Sequence, residues 1–210
     1  MKETKTTSGI FIFGSLISII AVGLQLLVIL TSREVSILHS IIRFFSYFTI
    51  LTNSLVAIYF TCLWLFPSSK PGLFFSKFSN TTAITVYILV VGIIYNLLLR
   101  SIWPVSGWGK VADELLHSFI PVYFLIYWIF FTEKEKLKWS HALPWLYYPL
   151  AYLVYTLIRG TITHTYPYPF INVSKLGYQQ TLINCLGVGL VFYALFLIMI
   201  AISRRIKSPN

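Results

Sequence analysis

The chain has 210 residues, of which 57% are hydrophobic and only 10% charged, with a formal net charge of +10. That balance excludes an ordinary soluble domain and points to a protein of the bilayer. The basic excess is dispersed over the ends of apolar stretches instead of gathered on one face, so no nucleic-acid partner is expected.

Six apolar stretches follow one another, at about 9 to 31, 40 to 66, 82 to 102, 115 to 132, 143 to 158 and 181 to 203, against the roughly 20 residues a helix needs to cross a membrane. The first is longer than the apolar core of a signal peptide and has no clear small-residue cleavage site, so it reads as a retained helix. The fifth is short. The connections are too brief to bury a soluble core of their own. The expected architecture is therefore all-α, a single multi-pass six-helix bundle over residues 1 to 210 in the cell membrane. Lys2 and Lys5, Lys70 and Lys77, Lys134, Lys136 and Lys138, and Arg204, Arg205 and Lys207 fall on one side of that arrangement and make up most of the 16 basic residues. By the positive-inside rule both termini are then cytoplasmic.

The loops carry topology and anchoring signals. "TEKEKLKWSHALPW", residues 132 to 145, has alternating charge followed by Trp139 and Trp145, as in a loop returning to an aromatic belt. In the outer connection, Pro167 and Pro169 withdraw two amide donors, so "YPYPF" should form a rigid, non-helical cap. Cys62 and Cys185 have no spacing that suggests a disulfide framework or a zinc site. The sequons at Asn80 and Asn172 are given no functional weight.

The distribution of polar residues within the spans is more informative, because charge in hydrocarbon costs about 2.5 to 3.5 kcal/mol at a helix centre. On the expected topology the outer half of the second helix carries Arg43, Ser46, Thr49, Thr52 and Asn53, with Ser46, Thr49 and Asn53 on one stripe. The third ends with Tyr95, Asn96 and Arg100, and the fourth begins with Asp113, Glu114 and His117. The fifth leaves past Tyr152, Tyr155 and Arg159, and the sixth enters past Gln179, Gln180 and Asn184. The inner halves are mostly Leu, Ile, Val and Phe. Helix-end polarity and snorkelling account for Arg100 or Arg159 alone, but poorly for Thr49, Asn53 and His117. If Arg43 and Asp113 mark the outer interface, Thr49 lies about 9 Å and His117 about 6 Å below it, at ~1.5 Å per residue.

A hydroxyl and an imidazole at matching depth suggest nucleophilic catalysis, with His117 as base for Thr49. Asp113, one turn before His117, would orient the ring. Asn53, Asn96 or Arg100 would bind an oxyanion. Against this, membrane threonines ordinarily bond their own backbone or a neighbouring helix, and Asp113 and Glu114 suit the positive end of a helix dipole. A metal centre is not expected, since neighbouring acids point about 100° apart and zinc wants three convergent ligands. No cofactor is expected either.

"FFSYFTILTN", "YNLLLR", "VADELLHSFIPVYFLIYW", "YYPLAYLVYTLIRG" and "YPYPF" resemble, in order and over nearly the whole chain, the bacterial six-span "Pr-six-Pr" membrane proteins. More distantly, the six-span plan, the "YFT" of the second helix and the histidine heading the fourth are similar to the androgen-induced membrane hydrolases. Those are threonine hydrolases that cleave fatty acid esters of hydroxy fatty acids. The resemblance implies Thr49 as nucleophile and His117 as its partner, with Thr52 competing for the first role, and a membrane lipid or fatty acyl ester as substrate. Two functions stay open. One is an intramembrane lipid ester hydrolase; the other is a non-enzymatic transporter or lipid-binding protein that recognises an anionic headgroup through Arg43, Arg100 and Arg159. Transport would call for polar groups in the cytoplasmic half as well.

Overall fold

The computed structural model describes residues 5–205, and Lys2 and Lys207, counted above for orientation, lie outside them. All regular structure in this range is helical, and the chain divides into two compact units, residues up to Glu135 and Lys136–Arg205.

In the first unit α1 (Lys5–Thr31) lies along α3 (Phe48–Leu65), and α5 (Phe78–Ile94) lies between α3 and α7 (Ile120–Phe131). Three short helices join or extend these: α2 (Ile37–Phe44), α4 (Lys70–Phe75) and α6 (Gly107–Glu114). Serines start two of them. The Ser36 hydroxyl accepts from the His39 amide at 3.3 Å and the Ser69 hydroxyl from the Gly72 amide at 3.2 Å, each satisfying one of the donors a helix start leaves over. Close approach of α1 to α3 depends on Gly14, where a Cβ would lie 2.6 Å from the Phe60 ring. Ser15 and Thr61 share a hydrogen bond of 2.7 Å across the same seam. Small residues let membrane helices pack this closely where lipid offers no hydrophobic drive.

The core of this unit is aromatic, built of Phe11, Tyr59, Phe60, Phe124 and Tyr127. It is not purely apolar. The Tyr59 hydroxyl meets those of Thr81 and Tyr127, both at 3.0 Å, and the Trp128 ring N–H donates to Thr82 at 2.9 Å. Reading these segments as runs of apolar letters passes over that network. Past the end of α7, the buried Lys134 ammonium donates to the carbonyls of Trp128, Ile129 and Thr132, orphan acceptors that a cation suits at the negative end of the dipole.

In the second unit α8 (Ala142–Trp145) leads into α9 (Tyr147–Thr163), and α10 (Val173–Arg205) completes it. Helix α9 ends at His164, which takes the left-handed conformation with φ of 54°. The Tyr166 ring then folds over Gly160 so closely that a Cβ there would lie 2.0 Å from it. "YPYPF" contains a single 3-10 turn, Pro169–Ile171, with the Tyr168 and Phe170 rings stacked. Asn172 caps α10 by accepting from the Lys175 amide at 3.2 Å. Gly177, with φ of 72°, interrupts that helix near its start.

Five helical segments in the described residues are long and apolar enough to cross a membrane: Thr7–Thr31, Phe48–Leu65, Phe78–Leu99, Gly107–Phe131 and Val173–Arg205. The expected span at 143 to 158 appears instead as the 17-residue α9, displaced toward the C-terminus. At ~1.5 Å per residue it reaches about 26 Å, less than the ~30 Å of a hydrocarbon core.

Candidate functional site

The helix that carries "DELLHSFIP" begins at Gly107, so Asp113 and Glu114 stand at the end of α6 and no acid occupies its first turn. The capping explanation for this acidic pair therefore does not apply. Immediately after them Leu115–Phe119 winds as a π turn, and the Ile120 amide bonds the Leu115 carbonyl five residues back. Pro121 follows, with no amide proton to give. Pro121 therefore offers no amide to the carbonyls four and five residues before it, those of His117 and Leu116.

Two asparagines from neighbouring helices take those carbonyls. The Asn53 carboxamide on α3 donates to Leu116 O at 3.3 Å and to its own helix at Thr49 O at 2.9 Å. The Asn96 carboxamide donates to His117 O at 3.1 Å and to Gly92 O at 2.8 Å. All four partners are carbonyl oxygens, so each amide has its nitrogen turned toward them. Asn96 itself lies in a second π turn, Tyr95–Leu99, closed by the Arg100 amide on Tyr95 O at 2.9 Å. Gly92 allows the approach, since a Cβ there would lie 3.0 Å from His117 O and 3.2 Å from Pro121.

His117 is gripped on its ring as well. Nδ1 lies 3.0 Å from both the Asp113 carbonyl and the Asp113 carboxylate. Both partners only accept, so the proton belongs on Nδ1 and the basic lone pair on Nε2. The pair is largely withdrawn from solvent, with the His117 and Asp113 side chains 12% and 10% exposed. The Tyr95 ring stacks on the imidazole with centroids 3.6 Å apart and planes 13° off parallel. Its hydroxyl lies beside the Asp113 carboxylate.

Beside this, Arg100 forms a forked pair with Glu114, at 2.5 and 2.9 Å, and donates to Ser118 at 3.0 Å; Ser118 in turn donates to Glu114 at 2.8 Å. Both terminal nitrogens of Arg100 are thus engaged. Arg43 stands apart, exposed in the last turn of α2. Arg159 belongs to the second unit, where it reaches the Thr165 carbonyl at 3.3 Å.

Thr49 is placed differently from the expectation. The chain breaks at Phe45 to Tyr47, so Arg43 and Ser46 are not on the helix that carries Thr49 and Asn53; the Ser46 hydroxyl caps Ile42 O at 2.6 Å instead. A depth measured by helical rise from Arg43 therefore fails, as does one measured from Asp113, which is not the helix start. Thr49 is the second residue of α3, behind an N-cap, Tyr47, that makes no side-chain capping bond. There the helix dipole favours negative charge. The Asn53 bond to Leu116 ties α3 to the turn that carries His117, and Thr49 lies one turn before Asn53 on α3, while the His117 ring points back one turn to Asp113. Thr49 keeps slight exposure, whereas Thr52 is fully buried.

Ser118 and the stacking of Tyr95 escape the sequence pattern, although Pro121 inside an apolar run signals disturbed winding. Among the described residues no three His, Cys, Asp or Glu side chains gather as a metal would require. No family model matches the chain, and none of the curated proteins or solved structures compared with it matches either.

Proposed function

We propose that this is an intramembrane hydrolase of lipid acyl esters, crossing the membrane six times with both termini cytoplasmic, in line with the families its motifs resemble. The observation that carries the reading is the Asp113–His117 pair, in which Nδ1 is committed to Asp113 and the basic nitrogen is Nε2. In the reaction the Thr49 hydroxyl oxygen attacks the ester carbonyl carbon as its proton passes to Nε2, and the alkoxide leaves with that proton. Water then attacks the acyl-Thr49 carbonyl, Nε2 takes the water's proton and returns one to Thr49, and the fatty acid departs. Asp113 stabilises the transient imidazolium. The first turn of α3 supplies positive potential to the oxyanion. Asn53 and Asn96 hold carbonyls, and they act in orientation instead of as oxyanion donors.

Headgroup recognition finds less support, because Arg100 is neutralised by Glu114. A transport path does too, because the polar groups deeper in the first unit, Tyr59, Thr81 and Tyr127, are bonded to one another.

Labelling with a fluorophosphonate tests the proposal directly. Thr49→Ala and His117→Ala should each abolish labelling, and the double variant should be no worse than either, as for members of one catalytic unit. Asp113→Asn should be milder and Thr52→Ala near neutral. Full labelling of His117→Ala would remove the hydrolase reading.

A further inference from the structure

The His117 segment is held by its backbone, and the holding groups come from outside its own helix. Pro121 has no amide to give to Leu116 O or His117 O, and these carbonyls face Asn53 on α3 and Asn96 after α5. Tyr95 and Asn96, consecutive in sequence, reach the same residue from two directions, one stacking on its ring and the other bonding its carbonyl. A carbonyl left bare here would swing toward any donor, and the ring bonded one turn away would turn with it. The Asn53 Oδ1 atom is buried and has no hydrogen-bond partner. A buried acceptor left over in this way is costly, so the residue is not there for general comfort of packing; its value lies in its nitrogen.

We infer that Asn53 and Asn96 are positioning residues, which fix the direction of the His117 imidazole by giving the Leu116 and His117 carbonyls the N–H that Pro121 cannot. The inference rests on the hydrolase reading only for its effect on rate. Its physical content is that the asparagines and the missing Pro121 amide are interchangeable.

That interchangeability is testable. With Asn96→Leu, which keeps bulk and removes the donor, the Nδ1-protonated form of His117 should give way to a tautomer mixture. This is read from ¹⁵N spectra of protein labelled at its four histidines, with His117→Gln assigning the signal. Fluorophosphonate labelling should slow by about 10- to 100-fold, the scale of a misplaced catalytic group. Adding Pro121→Ala restores an amide N–H within reach of the stranded carbonyls, and should return the tautomer and bring labelling back to within about threefold of the parent. A purely packing role for Asn96 would not be rescued by that change. If Asn96→Leu does not fold, recovery of folded protein on adding Pro121→Ala is the readout. An unchanged tautomer and rate in Asn96→Leu, or a loss that Pro121→Ala leaves in place, would overturn the inference. Absence of labelling in the parent protein would remove the hydrolase reading alone, because the tautomer comparison needs no activity.

Discussion

Tyr95 covers one face of His117 at 3.6 Å between ring centroids while its hydroxyl lies beside the Asp113 carboxylate that holds the same imidazole. The two contacts are separable. Tyr95→Phe keeps the stack and removes the hydroxyl, so it should retain most of the fluorophosphonate labelling. Tyr95→Leu removes both and should label at least tenfold more slowly. Equal rates in the two variants would show that the stack contributes nothing.

Gly92 sets the distance between α5 and the His117 to Pro121 stretch. Gly92→Ala places a methyl 3.0 Å from a backbone carbonyl and 3.2 Å from a proline ring, neighbours with little freedom to yield. It should lower stability by about 1 to 3 kcal/mol. Gly187→Ala, where nothing lies within 4 Å, is the control and should be neutral or slightly stabilising. Thermal unfolding in detergent compares the two.

Arg100 and Glu114 are 39% and 41% exposed, so their pairing is worth only about 0.2 to 1 kcal/mol. Arg100→Met and Glu114→Met should therefore each be mild, and the double variant less destabilised than the sum of the singles. Strict additivity would mean that the fork contributes nothing.

Burial pulls the Lys134 ammonium down to about 8. Above that pH the folded lysine is neutral while the unfolded one stays charged until about 10.4. The unfolded state then binds more protons, so stability rises with pH across this window and is flat in this respect below it. Lys134→Met should remove that rise in unfolding midpoint; an identical pH profile in the variant would assign it elsewhere.

A fluorescent reporter active only in the cytoplasm and fused at Asn210 should light up. A dark, well-expressed fusion would reverse the proposed orientation and with it the outward placement of the His117 cluster.

The spacing of Asp113 and His117, four residues apart on one helical face, was legible from sequence because it needs only local winding. The break between α2 and α3 was not, since Phe45, Ser46 and Tyr47 include neither proline nor glycine and sit within an unbroken apolar run. Nor were the partners of Asn53 and Asn96. An asparagine in a membrane helix announces a hydrogen bond but not its recipient, and here the recipients are backbone atoms whose availability depends on a turn geometry two helices away. Pro121 was the visible clue, but a proline states which donor is lost and leaves open which group replaces it.

Each π turn holds one residue more than an α-helix of the same height would need. Deleting a single residue from Leu115–Phe119 would let the segment close as ordinary helix with the helix before it keeping nearly the same face, since the surplus residue is what the wide turn absorbs; losing Leu115 or Leu116 would leave Asp113 and His117 three residues apart instead of four. Hydropathy and span length would hardly change. A homologue one residue shorter in this stretch would insert into a bilayer equally well and yet lack the wide turn, so a gap in an alignment there would separate chains that hold a histidine in this way from chains that share only the fold.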